Sequence, residues 1–358
     1  MANKKRQHFI SQFLLRNFSQ KSNNKVIHLH NKKTNKTVEN APIKSQAQES
    51  YFYGIDTAFE DFLSHSECKA SEAIKNIISE EKLPEQKTKA NSFLLHFVMM
   101  YAFRTKASIH NTEERINSAF KKVAKYDKEL SKIDLSTNRI VHPEPAAFNL
   151  AYNMDNWVVT SDLSLVLLKN RTEKDFIISD NPFVQFNPIH LAKKSYPNNG
   201  GLLSKGLIIF FPIHPKFCLM FYDSWAYDTI NMKARKVEIE SIDDINYINL
   251  LQAISADKIL YFGQIEQLEN IKALSKESIF HKKNTYINET IRDASKPNKV
   301  LLLSYYLEHL FNPDFSFFKL TSNAEKRKPN IGMDDYRNEE IVEWVKMDKS
   351  HLWKSKRT

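Results

Sequence analysis

Carboxylates in three places are the residues of this chain best suited to chemistry. The Ser-Asp-Asn-Pro sequence at 179–182 follows the apolar run 176–178, so a turn at the end of a predicted strand presents Asp180. Glu60 and Glu67 are seven residues apart, which on a helix places both on one face. Carboxylates bind Mg²⁺ or Mn²⁺ and transfer protons. Glu60, Glu67 and Asp180 are therefore candidate metal ligands, and Glu60 and Asp180 are also candidate catalytic groups.

Basic and amide side chains complement these carboxylates. His8 is a candidate metal ligand or general base, since histidine changes its charge near neutral pH. Arg104 directly follows the apolar run 93–103 and is a candidate catalytic residue that could clamp a phosphate with two hydrogen bonds. The candidate substrate-binding residues are Arg16, Asn181 and Asn249.

Each carboxylate also has a structural interpretation that the sequence leaves open. Glu60 and Glu67 share their helical stripe with apolar residues, so they can equally neutralise Arg104 or Arg16 in a structural ion-pair network. Asp180 can accept hydrogen bonds from backbone N–H groups in an Asx-turn. Both interpretations predict residues that support the fold and do no chemistry.

His8 and Asn249 have similar structural alternatives. A lone histidine is more often a capping or core group than a catalyst, and His8 gains a chemical role only if Glu60 or Asp180 lies beside its ring. Asn249 precedes a predicted strand, where it can simply close a helix–strand junction.

Several common sites are excluded because their motifs are missing. The chain has only 6 glycines and contains neither G-x-G-x-x-G nor G-x-x-x-x-G-K-[ST], so it has no glycine-rich phosphate-binding loop of those types. It also lacks H-E-x-x-H and G-x-S-x-G, which argues against a zincin and a serine hydrolase. Its two cysteines, Cys68 and Cys218, form no C-x-x-C pair, which excludes a zinc ribbon and is typical of a reducing cytoplasm.

Charge and hydropathy indicate a cytoplasmic protein with a polyanionic partner. The formal net charge is +10, which favours contact with nucleic acid. The densest apolar run, 93–103, has eleven residues and contains His96, so it is too short to span a membrane. The polar, basic start of the chain is a poor signal peptide, and we expect no membrane association.

Apolar periodicity predicts an α+β protein with a helix-rich N-terminal half and a small sheet formed mainly by the second half. The predicted helices are 47–79, 86–130, 146–169 and 242–256, and the predicted strands are 26–30, 175–179, 207–213, 217–222 and 258–262. Residues 1–280 are predicted to form a single α+β domain, and 281–358 a partly helical, peripheral C-terminal extension.

The start of the chain carries a resemblance to a known family. Residues 7–18 resemble the Gln-His-x-x-Pro-x-x-x-Leu-Arg-x-Phe start of a prokaryotic and viral family, domain of unknown function 4238. Further matches follow in order at Phe52-Tyr53, Glu60-x₆-Glu67, Arg104, residues 179–182, Phe-Pro-Ile-His-Pro at 211–215, and Asn249. Ser11 departs from the pattern, because it stands where the family usually has proline. The resemblance covers about residues 7–263 and implies a shared domain and a shared site, without a reaction.

Two hypotheses of function remain. The first is a metal-dependent phosphodiesterase or nuclease that uses Mg²⁺ or Mn²⁺ on nucleic acid, and the settings in which such families occur suggest antiviral defence. The second is a non-catalytic module that binds or senses nucleic acid or a phage component, in which basic residues supply the affinity and the carboxylates hold the scaffold together.

Overall fold

Strands from distant parts of the chain are brought together in the β-sheets of this protein. The computed structural model describes residues 5–20, 23–55, 58–86, 88–135, 137–153, 158–193, 198–292, 300–328, 331 and 335–341. The end of the predicted C-terminal extension, 342–358, lies outside the described residues. Among the described helices, none combines the length and the apolar character needed to cross a membrane.

The elements alternate along the whole chain. The α-helices are α1 (Gln12–Asn17), α2 (Ala58–Glu80), α3 (Lys89–Arg104), α4 (Lys106–Val123), α5 (Pro145–Asn153), α6 (Pro188–Leu191), α7 (Ile242–Ser255), α8 (Leu268–His281) and α9 (Ser322–Arg327). The strands are β1 (Arg6–His8), β2 (Val26–Asn31), β3 (Lys36–Pro42), β4 (Gln48–Ser50), β5 (Ser164–Asn170), β6 (Ile178–Ser179), β7 (Val184–Phe186), β8 (Ile208–His214), β9 (Phe217–Tyr222), β10 (Tyr227–Thr229), β11 (Lys236–Ile239), β12 (Ile259–Phe262), β13 (Lys282–Arg292), β14 (Val300–His309) and β15 (Phe318–Leu320).

The two larger sheets organise the core. One has the order β11-β5-β9-β8-β7 and is antiparallel except for the parallel pair β11–β5. The other has the order β3-β2-β12-β6 and is antiparallel throughout. β9 is buried at every position and β8 at all but His214, as expected for central strands covered on both faces. Pairs β1–β4, β10–β15 and β13–β14 complete the described sheets.

The prediction of a helix-rich N-terminal half with a small sheet from the second half is wrong. β2 and β3, from the first fifty residues, form one side of the four-stranded sheet. β5 begins within the predicted helix 146–169 and ends at Asn170, whereas helix α5 ends at Asn153. The apolar run Leu165–Leu168 fits a buried helix or a buried strand equally well. It forms a strand because it pairs with β9 and β11.

Residue Thr105 divides the predicted helix 86–130 into two. Its side chain accepts a hydrogen bond from the backbone N–H of Ser108, and the Ser108 side chain accepts one from the backbone N–H of Thr105. This reciprocal capping box starts α4 directly after α3 ends at Arg104. The chain can therefore change direction there, which leaves Arg104 at a helix terminus.

The described residues of the predicted C-terminal extension contribute to the main core. Phe315, Phe317 and Phe318 are buried and their rings contact one another. Phe315 also contacts the ring of Phe186 in the five-stranded sheet. This aromatic cluster attaches β15 and the segment before it to the sheet.

Gly263 is a tight packing point between the four-stranded sheet and α1. A Cβ atom at Gly263, just after β12, would lie 2.7 Å from the backbone oxygen of Phe18 and 3.3 Å from that of Ser19. Only hydrogen fits there, so glycine lets the end of α1 approach β12 closely. This approach helps to position α1, which carries Arg16 and Gln12.

We expect Gly263→Ala to lower the free energy of unfolding by about 1–3 kcal/mol, because the added methyl group displaces backbone atoms. Gly201→Ala is the matched control, since a Cβ there meets only Ser204 Oγ at 3.7 Å, and it should change stability by less than about 1 kcal/mol. Urea unfolding of both variants measures the difference. Equal losses in the two variants would contradict this account of Gly263.

Candidate functional site

A polar pocket joins residues from β1, α1, α2 and the end of α3. We call it the Arg104 pocket, and its volume is about 350 Å³. Its lining residues are His8, Gln12, Phe13, Arg16, Glu60, Leu63, Ser64, Glu67, Cys68, Ser71 and Arg104. It therefore brings together five of the residues predicted from sequence, namely His8, Arg16, Glu60, Glu67 and Arg104.

Helix α2 contributes one face to the pocket. Glu60, Ser64, Glu67 and Ser71 follow one another at intervals of four, three and four residues, which is the spacing of one helical stripe. The positions of α2 that border this stripe on one side, such as Ala70 and Ile74, are buried in the core. Burial of that side fixes the rotation of the helix and turns the polar stripe toward the pocket.

Arg104 is the buried centre of the site, with 1% of its surface exposed. Its Nη2 donates to Glu67 Oε1 and to the backbone oxygen of His8, each at 2.9 Å, and its Nε donates to Tyr53 Oη at 3.2 Å. The guanidinium carbon lies 5.1 Å from the centre of the Tyr101 ring. Burial by itself lowers the pKa of Arg104, but the interactions with Tyr53 and Glu67 have the larger effect and raise this pKa. The side chain therefore stays charged.

One nitrogen of this buried guanidinium is unused. Arg104 Nη1 is buried and has no hydrogen-bond partner among the described residues. A buried donor without an acceptor costs about 1–3 kcal/mol, and more when the group is charged. An anionic group bound in the pocket would supply the missing acceptor.

His8 is poised as a proton acceptor. Its Nε2 lies 3.3 Å from the backbone oxygen of Lys44, and because a carbonyl oxygen only accepts, Nε2 carries the proton in that contact. Nδ1 of the neutral ring is then an acceptor. Burial lowers the pKa of His8, and the nearby Arg104 and Arg16 lower it further against the opposing effects of the Lys44 carbonyl and Glu67. The neutral ring is therefore the dominant form at pH 7.

Ser11 ties the start of α1 to the same centre. Its backbone N–H donates to Tyr101 Oη at 3.0 Å, and its hydroxyl lies 2.7 Å from the same oxygen. The proline that the family usually has at this position offers neither an N–H nor a hydroxyl, so it could form neither hydrogen bond. Ser11 therefore links α1 with α3 in a way that the usual residue cannot. Through Tyr101, the link ends beside Arg104.

Asp180 lies apart from this pocket and is fully engaged by the backbone. Its Oδ1 accepts from the N–H of Asp257 at 2.9 Å, and its Oδ2 accepts from those of Lys258 at 2.9 Å and Ile259 at 3.0 Å. Burial raises the pKa of Asp180 to about 6, although these backbone donors act in the opposite direction. The carboxylate thus joins the end of β6 to the start of β12.

The two predicted asparagines are also used inside the protein. Asn181 Oδ1 accepts from Thr105 Oγ1 at 2.6 Å, and Asn181 Nδ2 donates to Ser255 Oγ at 2.7 Å. Asn249 Oδ1 accepts from the N–H of Ile177, and Asn249 Nδ2 donates to the backbone oxygen of Asp175. Through these two hydrogen bonds, Asn249 holds α7 against the segment before β6.

A comparison with protein families covers all of these residues with a single match. The model of a family described as "Protein of unknown function (DUF4238)" matches residues 6–265, more than half of the chain. This chain belongs to the DUF4238 family. The matched region contains every lining residue of the Arg104 pocket as well as Asp180, Asn181 and Asn249. Comparisons with curated proteins and with solved structures gave no match.

The three predicted metal ligands do not meet at one point in this DUF4238 protein. Glu60 and Glu67 line the Arg104 pocket, whereas Asp180 is held at the β6–β12 junction. Across the part of the chain that the structure describes, no group of three or more His, Cys, Asp or Glu residues could hold a metal ion. Any metal ion in the pocket would therefore need ligands from the substrate or from water.

Sequence reasoning missed four polar or sulfur-bearing residues of the pocket, namely Gln12, Ser64, Cys68 and Ser71. The signal for two of them was present, because Ser64 and Ser71 extend the Glu60–Glu67 stripe at helical spacing. Gln12 had a similar signal, since it lies four residues before Arg16 on α1 and accepts a hydrogen bond from it at 2.8 Å.

Glu67 is expected to contribute more to stability than an exposed glutamate of the same helix, such as Glu72. Glu67→Gln leaves the buried Arg104 without its countercharge and should lower the free energy of unfolding by about 3 kcal/mol, at the lower end for a broken buried pair because Glu67 is 25% exposed. Glu72→Gln, at an exposed position of the same helix, is the matched control and should cost less than about 1 kcal/mol. Urea unfolding at pH 7 tests this, and equal stability of the two variants would refute the assigned role of Glu67.

Asp180 should make stability depend on pH. Its pKa rises from 3.8 to about 6 on folding, so the folded state binds this proton more tightly than the unfolded state. The resulting stabilisation is complete below pH 4 and is lost as the pH rises to about 6. Asp180→Asn lacks this titration and turns an N–H toward backbone donors, which should cost about 1–3 kcal/mol at pH 7.

The stability gap between the wild type and Asp180→Asn should therefore narrow from pH 4 to pH 6 and stay constant above. Urea unfolding across pH 4–8 measures it, with the exposed Asp228→Asn as the control. A gap that widens as the pH rises would mean that Asp180 is ionised throughout, contrary to its burial.

Proposed function

We propose that this protein is a phosphodiesterase that cleaves nucleic acid in the Arg104 pocket, assisted by Mg²⁺ or Mn²⁺. The observation that carries the proposal is the unused Nη1 of buried Arg104, in a pocket that also holds Arg16 and the neutral His8. A phosphate group fits this combination because it offers several acceptor oxygens and a negative charge.

The two arginines would bind the phosphate. Arg104 is held rigidly by Glu67, Tyr53 and the His8 backbone, so its Nη1 donor is preorganised. Arg16 is exposed and is held by Gln12, which leaves further guanidinium donors for a second phosphate oxygen. The net charge of +10 supports a polyanionic substrate, because it favours the approach of nucleic acid from solution.

His8 would act as the general base. The attacking water loses a proton to Nδ1 of His8 as its oxygen bonds to phosphorus. The phosphorus–oxygen bond to the leaving nucleotide breaks with its electron pair on the departing oxygen, which takes a proton from solvent water. A divalent ion would stabilise the charge on the phosphate oxygens. Such an ion usually takes one or two protein carboxylates and completes its shell with phosphate and water, and we assign Glu60 of the pocket lining to this role.

A binding module without catalysis is the second candidate, and one observation favours it. Glu67 and Asp180 both serve the scaffold, one by pairing with Arg104 and the other by accepting three backbone N–H groups. In that case, Arg104 and Arg16 would bind phosphate without any reaction. Salt-sensitive binding would then survive both Glu60→Gln and His8→Ala.

Cleavage assays distinguish these two functions. The purified protein is incubated with mixed RNA, single-stranded DNA and plasmid, each with Mg²⁺, Mn²⁺ or a chelator. We expect cleavage that His8→Ala lowers by about 10²–10⁴-fold and that loses its metal stimulation in Glu60→Gln. Asp228→Asn, on an exposed strand position, is the control and should leave the rate unchanged.

The pH profile gives an independent check. Since the neutral ring is the active form and the pKa of His8 is lowered below 6.5, the rate should rise with pH below 6.5 and become constant above it. Cleavage that both His8→Ala and Glu60→Gln leave unchanged would rule out this site. No cleavage under any condition, with salt-sensitive binding retained, would favour the binding module.

A further inference from the structure

A second pocket lies across the α3–α4 junction from the Arg104 pocket. We call it the Glu308 pocket, and its volume is about 260 Å³. The lining residues that matter here are Phe103, Arg115, Gln185, Gly201, Tyr306 and Glu308. They come from α3, α4, β7, β14 and the loop before β8, so the pocket is formed only by the complete tertiary structure.

Three polar groups of this pocket have no hydrogen-bond or ion-pair partner among the described residues. The half-buried Glu308 carboxylate forms no hydrogen bond or ion pair of 4 Å or less with the described residues. The guanidinium of Arg115 forms none either, and this residue is exposed at the edge of the pocket. Gln185 donates its amide N–H groups to the backbone oxygens of Asn199 and Gly200, and its Oε1 accepts from none of the described residues. Burial raises the pKa of Glu308, against Lys282 and Lys32, as expected for a carboxylate removed from water.

A glycine borders the same space. The chain has only 6 glycines, and Gly201 is one of two adjacent glycines in the lining. Gly200 has a φ of +71°, which explains its identity by backbone conformation. Gly201 has no such requirement, and a Cβ there would meet only Ser204 Oγ at 3.7 Å. The backbone therefore tolerates a side chain at 201, and the absence of one leaves the pocket open.

We propose that the Glu308 pocket binds a nucleoside 5′-monophosphate whose base carries adjacent N–H donors, with guanosine monophosphate as the best match. The two oxygens of Glu308 would accept from N1–H and the exocyclic amino group of guanine, and Gln185 Oε1 would accept a further donor. Phe103 and Tyr306 offer aromatic surface to the base, and Arg115 offers a bidentate partner to the phosphate. The proposal does not depend on catalysis in the Arg104 pocket.

Isothermal titration of the full chain with guanosine monophosphate, guanosine and uridine monophosphate tests this assignment. We expect guanosine monophosphate to bind at least tenfold more tightly than either of the others, because guanosine lacks the phosphate and uracil offers a single N–H donor. Arg115→Ala should bind guanosine monophosphate and guanosine with equal affinity, because the partner of the phosphate is lost. It should still bind guanosine monophosphate more tightly than uridine monophosphate.

Two further variants and one control locate the site. Glu308→Gln should weaken binding of guanosine monophosphate at least tenfold. Gly201→Leu should do the same, because the leucine side chain occupies the pocket and the backbone at 201 does not require glycine. Asp228→Asn, at an exposed strand position outside both pockets, should bind as the wild type does. Circular dichroism confirms that each variant is folded. The proposal would be overturned if guanosine monophosphate did not bind to the wild type, or if it bound to Glu308→Gln and Gly201→Leu with the affinity of the wild type.

Discussion

The burial of a single positive charge, that of Arg104, governs the centre of this protein. A guanidinium removed from water is tolerated only if its donors and its charge are matched, and an unmatched buried charge costs several kcal/mol. Glu67 supplies the countercharge, and Tyr53 and the His8 backbone accept two donors. These contacts join α2, α3 and β1, so the same interaction that satisfies the charge also assembles the walls of the Arg104 pocket.

The end of α3 connects this pocket to the rest of the fold. Thr105 follows Arg104 directly, caps α4 and donates to Asn181. Asn181 binds Ser255 at the end of α7, and its neighbour Asp180 holds the start of β12. Two pockets therefore lie on either side of one junction of hydrogen-bonded side chains. Residues at this junction contribute to the scaffold even when they look like catalytic groups in the sequence, and a change there is expected to affect folding as well as chemistry.

The candidate site was predictable from sequence where local periodicity controls geometry. Glu60 and Glu67 share a helical face because 3.6 residues make a turn, and both line the pocket. Asp180 was different, because the donors that engage it come from residues 257–259, more than seventy positions away. The same limit explains the misassigned sheet. The run Leu165–Leu168 is apolar throughout, and only its pairing with β9 and β11 shows that it is a strand.

The sequence by itself determined the membership of the DUF4238 family, the excess of positive charge, the polar stripe of α2 and the apolar central strands β8 and β9. These features follow from local composition and from the side-chain periodicity of strands (two residues) and helices (3.6 residues). Both can be read from neighbouring residues, without knowing which distant segments come into contact. The tertiary structure decided which carboxylates share a pocket, which partner each polar group has, and which donors remain unused. Those outcomes depend on how distant segments pack, because hydrogen bonds and ion pairs form only at contact distance and burial sets how much an unmatched group costs.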